Sequence, residues 1–258
     1  MAGAAGTVVL LHGFTGAPAS WDDVVALLPP GATVVRPALL GHGDEADDAA
    51  SDFAGEVDRI AARLPPPGAA PLHLIGYSLG ARVALGLLSR HPRRFSRATL
   101  IGVHPGLASA GERAARIDSD EGWAQRLEQG GIAAFVDAWQ RQALFETASP
   151  VDERRLAHQR QIRLSHRAAG LSRSLRVLGL GRMPDYRHAL ATCAVPLCLA
   201  VGATDRRFTA LAEEIRRLQP RASLRVIEGA GHNVPLEQPA RVAALLDDRQ
   251  HPQQGATP

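Results

Sequence analysis

Six apolar runs of five or six residues recur along the chain, and segments with helical spacing separate them. The first run is continuous rather than alternating, which is typical of a strand buried on both faces of a parallel sheet. The predicted strands are Thr7–Leu11, Ala32–Pro37, Leu72–Tyr77, Ala98–Val103, Leu197–Gly202 and Leu224–Glu228. The predicted helices between them include Trp21–Leu28, Phe53–Leu64, Leu79–His91, Leu211–Leu218 and Pro239–Leu246. This alternation predicts an α/β fold with a mostly parallel, doubly wound sheet.

One long segment interrupts the alternation. Between Gly106 and about Leu190 the chain has no strand-like run, only helical patterns broken by Gly130-Gly131, Ser149-Pro150 and Gly179 to Pro184. We therefore expect residues 106–190 to form a helical lid, inserted before the fifth predicted strand. Residues 1–105 and 191–247 are expected to form one core domain, which suits a chain of 258 residues. Residues 248–258 predict a flexible tail.

A Gly-x-Ser-x-Gly pentapeptide joins the third predicted strand to the helix that follows it. Its residues are Gly76-Tyr77-Ser78-Leu79-Gly80. Small residues flank the serine because the turn is strained and the strand and helix pass close together. A strand, a sharp turn and a helix in this order predict the nucleophile elbow of the α/β-hydrolase fold. The pentapeptide alone would also fit an ordinary serine in a glycine-rich turn, so the prediction depends on partners for Ser78.

Partners for Ser78 follow two later strands. Asp205 ends a strand at Gly202-Ala203-Thr204-Asp205, and His232 follows the next strand in Gly229-Ala230-Gly231-His232. Taken singly, these are a turn aspartate and a loop histidine. The chain order Ser, Asp, His and the positions at carboxyl ends of strands are those that this fold uses. We predict that His232 takes the Ser78 proton, and that Asp205 orients the imidazole and stabilises its charge.

The segment His12-Gly13-Phe14 follows the first predicted strand. Its form is that of an oxyanion-hole loop, so the backbone N–H groups of Phe14 and Leu79 are predicted to bind a developing oxyanion. The remaining histidines, including His42, His91 and His251, are expected at the surface or in turns. No His, Cys and Asp cluster has the spacing of metal ligands, and we expect neither a metal nor a cofactor.

Composition excludes several classes of partner. All 29 basic residues are arginine, the net charge is +3 and aromatic residues make up 4% of the chain, so neither a basic block nor stacking residues indicate nucleic-acid binding. The spacing of Cys193 and Cys198 would place them on opposite faces of a strand, as reduced thiols. With no basic, apolar leader and no membrane-length apolar stretch, we expect a cytoplasmic monomer or small homo-oligomer without membrane contact.

Arg82 lies four residues after Ser78, in the first turn of the helix that the elbow opens. Side chains on a helix lean towards its N-terminus, so the guanidinium is expected to point back towards Ser78. A cation at that end opposes the helix dipole and needs an anionic partner. That partner is either a structural carboxylate or the carboxylate of a ligand, and from these residues alone both readings stay open.

Two sets of motifs, one in the predicted core and one in the predicted lid, occur together. The core set is Leu11–Gly16, Gly76–Arg82 and His104–Leu107, and the lid set is Glu112–Arg116, Trp123-Ala124, Trp139-Gln140, Leu144-Phe145, and Arg163 ahead of Gly170–Leu175. From about Thr7 to Leu246 the chain resembles the 2-succinyl-6-hydroxy-2,4-cyclohexadiene-1-carboxylate synthases of menaquinone biosynthesis, which are lyases of the α/β-hydrolase fold. The core set is shared across that superfamily, whereas the lid set is more specific.

The resemblance implies a substrate with several carboxylates, bound by arginines at the positions of Arg82, Arg116 and Arg163. This favours a ligand as the partner of Arg82, and a guanidinium fork suits a carboxylate well. It also implies site roles for Tyr77, Trp139 and Phe145. Ordinary packing would explain those aromatic residues equally well, and a lone lid arginine such as Arg163 is more often a solvated surface residue.

The implied reaction is the elimination of pyruvate from 2-succinyl-5-enolpyruvyl-6-hydroxy-3-cyclohexene-1-carboxylate, begun by proton abstraction at the triad. Two alternatives remain from the sequence. One is a hydrolase of carboxylate-bearing esters or of carbon–carbon bonds, and the other is a non-catalytic receptor, which the complete triad disfavours. The chain also departs from the family near the end of the lid. It has Gly179-Leu180-Gly181-Arg182-Met183-Pro184 where the family has a Gly-Thr-Gly-x-Gln-Pro-like stretch.

Overall fold

The computed structural model describes residues 6–43, 50–66 and 72–246, so the predicted tail over residues 248–258 lies outside the described residues. In these ranges six strands form one sheet in the order β2-β1-β3-β4-β5-β6, and every neighbouring pair is parallel. The strands are β1 (Val8–Leu11), β2 (Val34–Val35), β3 (Leu72–Tyr77), β4 (Phe95–Ile101), β5 (Leu197–Gly202) and β6 (Ser223–Ile227). The predicted α/β fold with a mostly parallel sheet is therefore confirmed.

The core lies on both faces of this sheet because side chains alternate along each strand. In β1, Val9 and Leu11 pack into one cluster, whereas Val8 and Leu10 pack into the other. Helices α2 (Phe53–Arg63), α3 (Leu79–Arg90) and α8 (Arg206–Leu218) cover the first face, and α1 (Asp22–Val25) and α10 (Pro239–Leu245) cover the second. A strand buried on both faces has no solvent side, which is why the run that forms β1 is continuously apolar.

Two N-terminal elements are shorter than predicted. Helix α1 ends at Val25, because Pro29-Pro30 follows and the residue before a proline disfavours helical geometry. Strand β2 is only two residues long, at the edge of the sheet. Cys193 lies before β5 rather than on it and is half-buried, whereas Cys198 lies on β5 and is buried. Both thiols are free, but the predicted opposite-face arrangement does not apply.

Between β4 and β5 the chain is helical, in a segment that we call the insertion. It contains α4 (Ala110–Trp139), α5 (Glu153–Leu164), α6 (Ala168–Leu178) and α7 (Arg187–Ala191). Ser109 and Glu112 form a capping box at the start of α4, and Gly131 breaks that helix at a φ of 75°. Helices α4 and α6 bury Leu127, Phe135 and Leu171 in a small apolar cluster separate from the two sheet clusters. This cluster makes the insertion a packed unit beside the carboxyl ends of the strands.

Short α9 (Val234–Glu237) follows the loop after β6. Ser78 directly follows β3, Asp205 lies three residues after β5 and His232 lies five residues after β6. All three strands run in the same direction, so their carboxyl ends lie at one edge of the sheet. The topology therefore gathers the three predicted partners at that edge.

Candidate active site

Ser78 occupies a strained turn between β3 and α3. Its φ of 51° lies in the left-handed region, which is rare for a residue with a side chain, and its N–H donates to the Ile101 carbonyl at 2.9 Å. A Cβ on Gly80 would collide with the Leu11 carbonyl oxygen, and one on Gly76 would lie 2.5 Å from the Gly80 carbonyl oxygen. Both glycines are thus required by the close approach of helix and strand, as a nucleophile elbow demands.

The three predicted partners lie within hydrogen-bond distance of one another. The Nε2 atom of His232 lies 3.1 Å from Ser78 Oγ, and its Nδ1 atom lies 2.7 Å from Asp205 Oδ2. The second carboxylate oxygen of Asp205 accepts the Phe208 N–H at 3.1 Å, so the aspartate also caps α8. Since Nδ1 donates to the carboxylate, Nε2 is free to accept the serine proton. This geometry matches a Ser-His-Asp triad.

Packing holds the His232 imidazole in this orientation. The side chain is buried, with the Phe208 ring centroid 4.4 Å and the Tyr77 ring centroid 5.5 Å from its own. On the edge of the imidazole, a Cβ at Gly102 would lie only 2.9 Å from Cε1, and Gly102 also has a φ of 57°. Any side chain at position 102 would displace the imidazole from Ser78.

The predicted oxyanion donors lie on either side of the serine. Leu79 is the first residue of α3, and Phe14 lies in the loop after β1. Within the described ranges neither N–H donates to a protein acceptor. The Tyr77 ring covers Gly13, since a Cβ there would lie 2.7 Å from its Cε1 atom. Both N–H groups are therefore available to a ligand, and Gly13 allows the loop to approach the elbow.

Arg163 lies on the last turn of α5, and only 6% of its surface is exposed. Its guanidinium lies over the Phe145 ring, with Cζ 5.5 Å from the centroid. In the described part of the chain no carboxylate or carbonyl accepts a hydrogen bond from it. Burial lowers the pKa of Arg163, and the charge of Arg160 lowers it further, while Tyr77 opposes this. Among the residues that the structure describes, Arg163 is thus a buried cation without a counter-ion.

Two adjoining cavities, of about 60 Å³ and about 360 Å³, meet at Arg163. Both are lined by Phe145, Gln159, Arg163, Asn233 and Leu236. The smaller one reaches Gly13, Phe14 and Tyr77, the residue before Ser78. Burial raises the pKa of the Tyr77 hydroxyl well above its usual value, so that hydroxyl stays protonated. The Arg163 guanidinium therefore faces space that leads to the predicted oxyanion loop.

Arg82 on α3 and Arg116 on α4 form a separate pair of cations. Arg82 is buried on α3 and donates to the Leu178 carbonyl at 2.8 Å. Arg116 donates to Asp120 at 2.9 Å, four residues further along α4. Burial lowers the pKa of Arg82, as does the nearby charge of Arg116, while Asp120 opposes this. In the described residues these two arginines therefore have protein partners, whereas Arg163 has none.

Trp139 packs inside the insertion. Its indole stacks on Phe135 with centroids 5.4 Å apart, and it meets the Phe14 ring edge-on at 5.1 Å. The ring of Phe145 lies 5.8 Å away and lines both cavities. The indole N–H is buried and has no acceptor in the part of the chain that the structure describes. The aromatic cluster thus connects the insertion to the loop that carries Phe14.

The loop over residues 179–184, where the sequence differs from the pattern of the synthases that it resembles, contributes to the core. Leu180 and Met183 are buried in the same cluster as the sheet and α3. A Cβ on Gly181 would lie 2.6 Å from the Arg113 carbonyl oxygen of α4. The apolar residues at these two positions therefore fill the interior, and the loop packs tightly against the insertion.

His42 was predicted at the surface or in a turn; it lies in a turn, with its N–H donating to the Leu39 carbonyl, but not at the surface. Its side chain is fully buried and is in ring contact with His12 and with His166. The flanking Gly41 and Gly43, both at positive φ, were a signal for a tight turn, but no short-range pattern pairs residues so far apart. His104 is also buried, and burial with Arg207 nearby lowers its pKa to about 4.

The described ranges contain neither a metal-ligand cluster nor a membrane-spanning helix. Residues 6–43, 50–66 and 72–246 hold no group of three or more His, Cys, Asp or Glu that could bind a metal ion. In the same ranges no helix is both long and apolar enough to cross a membrane.

A parallel sheet with a strained serine elbow and a Ser-His-Asp arrangement at its carboxyl edge defines a protein of the α/β-hydrolase fold. Consistent with this, a family profile described as alpha/beta hydrolase family matches residues 8–245. The 2-succinyl-6-hydroxy-2,4-cyclohexadiene-1-carboxylate synthase of Enterobacter sp. (strain 638) is 34% identical over 239 residues, which cover 93% of this chain and 89% of the relative. The chain belongs to the family of these synthases.

A second relative and a solved structure support the same family assignment. The enzyme of the same name from Klebsiella pneumoniae subsp. pneumoniae is 32% identical over 240 residues, covering 93% of this chain and 91% of the relative. The structure of MenH from S. aureus superposes with a TM-score of 0.87 at 25% identity, over 93% of this chain and 91% of that one. The similarity therefore spans the insertion as well as the core.

Proposed function

We propose that this protein is a lyase that eliminates pyruvate from 2-succinyl-5-enolpyruvyl-6-hydroxy-3-cyclohexene-1-carboxylate to give 2-succinyl-6-hydroxy-2,4-cyclohexadiene-1-carboxylate in menaquinone biosynthesis. Membership of the synthase family supports the reaction. The structural observation that supports the proposal is Arg163, a buried guanidinium beside the cavities that has no counter-ion within residues 6–43, 50–66 and 72–246. A buried cation is strongly destabilising unless an anion neutralises it, and a substrate carboxylate supplies that anion.

The first chemical step is a proton transfer. The ring carbon that bears the succinyl ketone loses its proton to the Ser78/His232 pair, and the electron pair moves onto the ketone oxygen as an enolate. The N–H groups of Phe14 and Leu79 hydrogen-bond this oxygen, which stabilises the charge as it develops. Asp205 stabilises the imidazolium that results.

The second step completes the elimination. The enolate collapses to form a double bond between ring carbons 2 and 3, the existing double bond shifts to carbons 4 and 5, and the bond from carbon 5 to the enolpyruvyl oxygen breaks. Pyruvate leaves as its enolate, which takes up a proton. No acyl-enzyme forms, so Ser78 acts in proton transfer rather than as a nucleophile.

The arginines orient the substrate. Arg163 lines the cavities and binds one carboxylate, and Arg82 with Arg116 binds another. Phe145 and Tyr77 line the smaller cavity, and Trp139 packs against Phe145 from the insertion. The helices of residues 106–190 act as a lid over the strand ends of the core formed by 1–105 and 191–247.

A hydrolase of carboxylate-bearing esters or of carbon–carbon bonds is the second candidate. The 3.1 Å separation between Ser78 Oγ and His232 Nε2 favours it, because this contact also activates a serine for covalent attack. The arginines would serve such a substrate equally well. Only the fate of the substrate separates the two reactions.

The test incubates purified protein with the enolpyruvyl precursor and follows pyruvate and the conjugated diene together. Elimination yields the two products in equal amounts, and Ser78→Ala abolishes both. Pyruvate without diene would mean hydrolysis of the enol ether and would reject the lyase. Absence of both products would reject elimination and enol-ether hydrolysis of this substrate, and a carboxylated ester would then be assayed. The cytoplasmic location, the monomer or small homo-oligomer and the independence of a cofactor stay predictions from the sequence.

A further inference from the structure

Three buried histidines from distant parts of the chain meet behind the oxyanion loop. His12 follows β1, His42 lies between β2 and α2, and His166 lies between α5 and α6 of the insertion. Ring centroids of His12 and His42 are 4.9 Å apart, and those of His42 and His166 are 5.3 Å apart. The ring of Phe14 packs edge-on against His42 at 5.6 Å. We call His12, His42 and His166 the histidine cluster.

Hydrogen bonds determine which nitrogen of each ring carries the proton. His166 Nδ1 accepts the Gly43 N–H at 3.0 Å, so Nε2 carries the proton and donates to the Thr15 carbonyl at 3.1 Å. His42 Nε2 accepts the Thr15 N–H at 3.1 Å, so its Nδ1 donates to the Leu40 carbonyl at 3.0 Å. His12 similarly accepts the Leu39 N–H and donates to the Gly13 carbonyl. Each histidine is therefore a neutral bridge between two backbone groups.

The histidine cluster forms hydrogen bonds with both the N–H and the carbonyl of Thr15. Thr15 has a φ of 63°, which strains a β-branched residue, and it lies in a turn closed by the Gly16 N–H and the Gly13 carbonyl at 3.0 Å. Such a conformation persists only when its surroundings over-determine it. Its N–H is bonded by His42 from the core, and its carbonyl by His166 from the insertion.

We propose that His42 and His166 are positioning residues that hold the Thr15 turn, and through it the N–H of Phe14, in the geometry that binds the oxyanion. His166 belongs to the insertion, so the oxyanion hole is complete only when the insertion is docked on the core. This inference rests on the role of the Phe14 N–H under the proposed function. It assigns the histidines no contact with substrate.

Two replacements of His166 separate positioning from general stability. Gln places an amide N–H near the position of Nε2, so His166→Gln keeps the bond to Thr15 and loses the one from Gly43. Asn places an amide oxygen near the position of Nδ1, so His166→Asn keeps the Gly43 bond and loses the one to Thr15. Each variant forfeits one hydrogen bond, and similar decreases in melting temperature are expected.

Their catalytic effects should differ. His166→Asn should lower kcat by about 100-fold or more with little change in KM, because misplacing or removing one oxyanion donor has an effect of about that size. His166→Gln should keep most of kcat. The matched control is His188→Asn, an exposed histidine on α7, which should leave both constants unchanged. Equal kcat for the Asn and Gln variants, whether normal or reduced, would overturn the positioning role.

Hydrogen exchange gives a second readout that needs no substrate. Amides of residues 12–16 should exchange faster in His166→Asn than in wild type, and near wild-type rates in His166→Gln. Unchanged exchange in His166→Asn would overturn the proposal even if activity fell. If wild-type protein released no pyruvate, the proposed lyase function would fail, while the exchange comparison would still decide whether His166 holds the loop.

Discussion

The guanidinium of Arg163 lies over the ring of Phe145 at 5.5 Å, and both side chains line the two cavities near the elbow. A cation over an aromatic face gains some stabilisation, but far less than the cost of burying a charge without a counter-ion. The folded protein therefore tolerates Arg163 at the expense of stability. Residues of this kind are expected where binding rather than folding determines the side chain.

Replacing Arg163 should therefore have opposite effects on stability and activity. We expect Arg163→Met to keep or raise the melting temperature while lowering kcat/KM by about 10- to 100-fold, since a charge-assisted contact contributes about 1.5 to 3 kcal/mol. Thermal unfolding and steady-state pyruvate release measure the two effects. The control is Arg176→Met, because Arg176 pairs with Glu121 and Glu128 at the surface. Unchanged kcat/KM in Arg163→Met would exclude a carboxylate contact.

Loss of any triad residue should abolish most turnover. Ser78→Ala, His232→Ala and Asp205→Asn are each expected to lower kcat by about 10⁴-fold or more, and double variants should lose little further because the three groups act as a unit. Circular dichroism should show an unchanged fold. Near wild-type pyruvate release by Ser78→Ala would show that another base removes the proton.

A lyase without an acyl-enzyme should not show burst kinetics. Mixed rapidly with a nitrophenyl ester, the protein is expected to release nitrophenol slowly and linearly from the first turnover. A burst of one equivalent per active site would indicate acylation of Ser78. That result, with Ser78→Ala as the blank, would favour the hydrolase.

Gly80, the second glycine of the elbow, should not tolerate replacement. Gly80→Ala is expected to reduce the melting temperature severely or prevent folding, because its Cβ would collide with the backbone oxygen of Leu11. Gly122→Ala, in the exposed part of α4, has nothing within 4 Å of its Cβ and should stabilise the protein by up to about 1 kcal/mol. If both variants unfolded at the same temperature, the close approach of α3 to β1 would be wrong.

Acid should destabilise the protein through its buried histidines. Burial lowers the pKa of His12 to about 4, and it also lowers the pKa values of His42 and His166. The unfolded chain takes up these protons below about pH 6.5 and the folded chain does not, so stability is complete above that pH and falls as pH decreases towards 4.

The measurement is urea unfolding between pH 7.5 and 5, before most carboxylates titrate. The free energy of unfolding should fall by about 1 kcal/mol per pH unit for each such histidine. A His42→Gln variant should show a shallower slope. A flat profile in the wild type would mean that the cluster accepts protons while folded.

Local patterns predicted the strands and the elbow well, because each depends on residues close in sequence. Continuous burial on both faces marked β3 and β5, and the glycines around Ser78 marked the turn. Helix α8 begins at Arg206, five residues before the predicted start, because apolar spacing does not register the cap that Asp205 provides. The same patterns identified the Ser, Asp and His residues that the fold gathers.

Contacts between segments that are distant in the chain could not be predicted from the sequence. The ion pair of Arg116 with Asp120 spans one helical turn, so the spacing of the two residues in the sequence could have predicted it. By contrast, the lack of a partner for Arg163 among the described residues depends on everything packed around it. The bonds of His166 to Gly43 and Thr15 cross 123 and 151 residues, so no short-range pattern contains them.

These two long-range bonds constrain how the enzyme could be re-engineered. Exchanging the insertion for that of a relative would aim to change which acid is accepted, but residue 166 would travel with it, while Thr15 and Gly43 would stay behind. A chimera designed at the apparent boundaries of the insertion would therefore mix two halves of one hydrogen-bonded unit. Transplants that carry the segments around residues 12–16 and 39–43 along with the insertion would keep the unit intact.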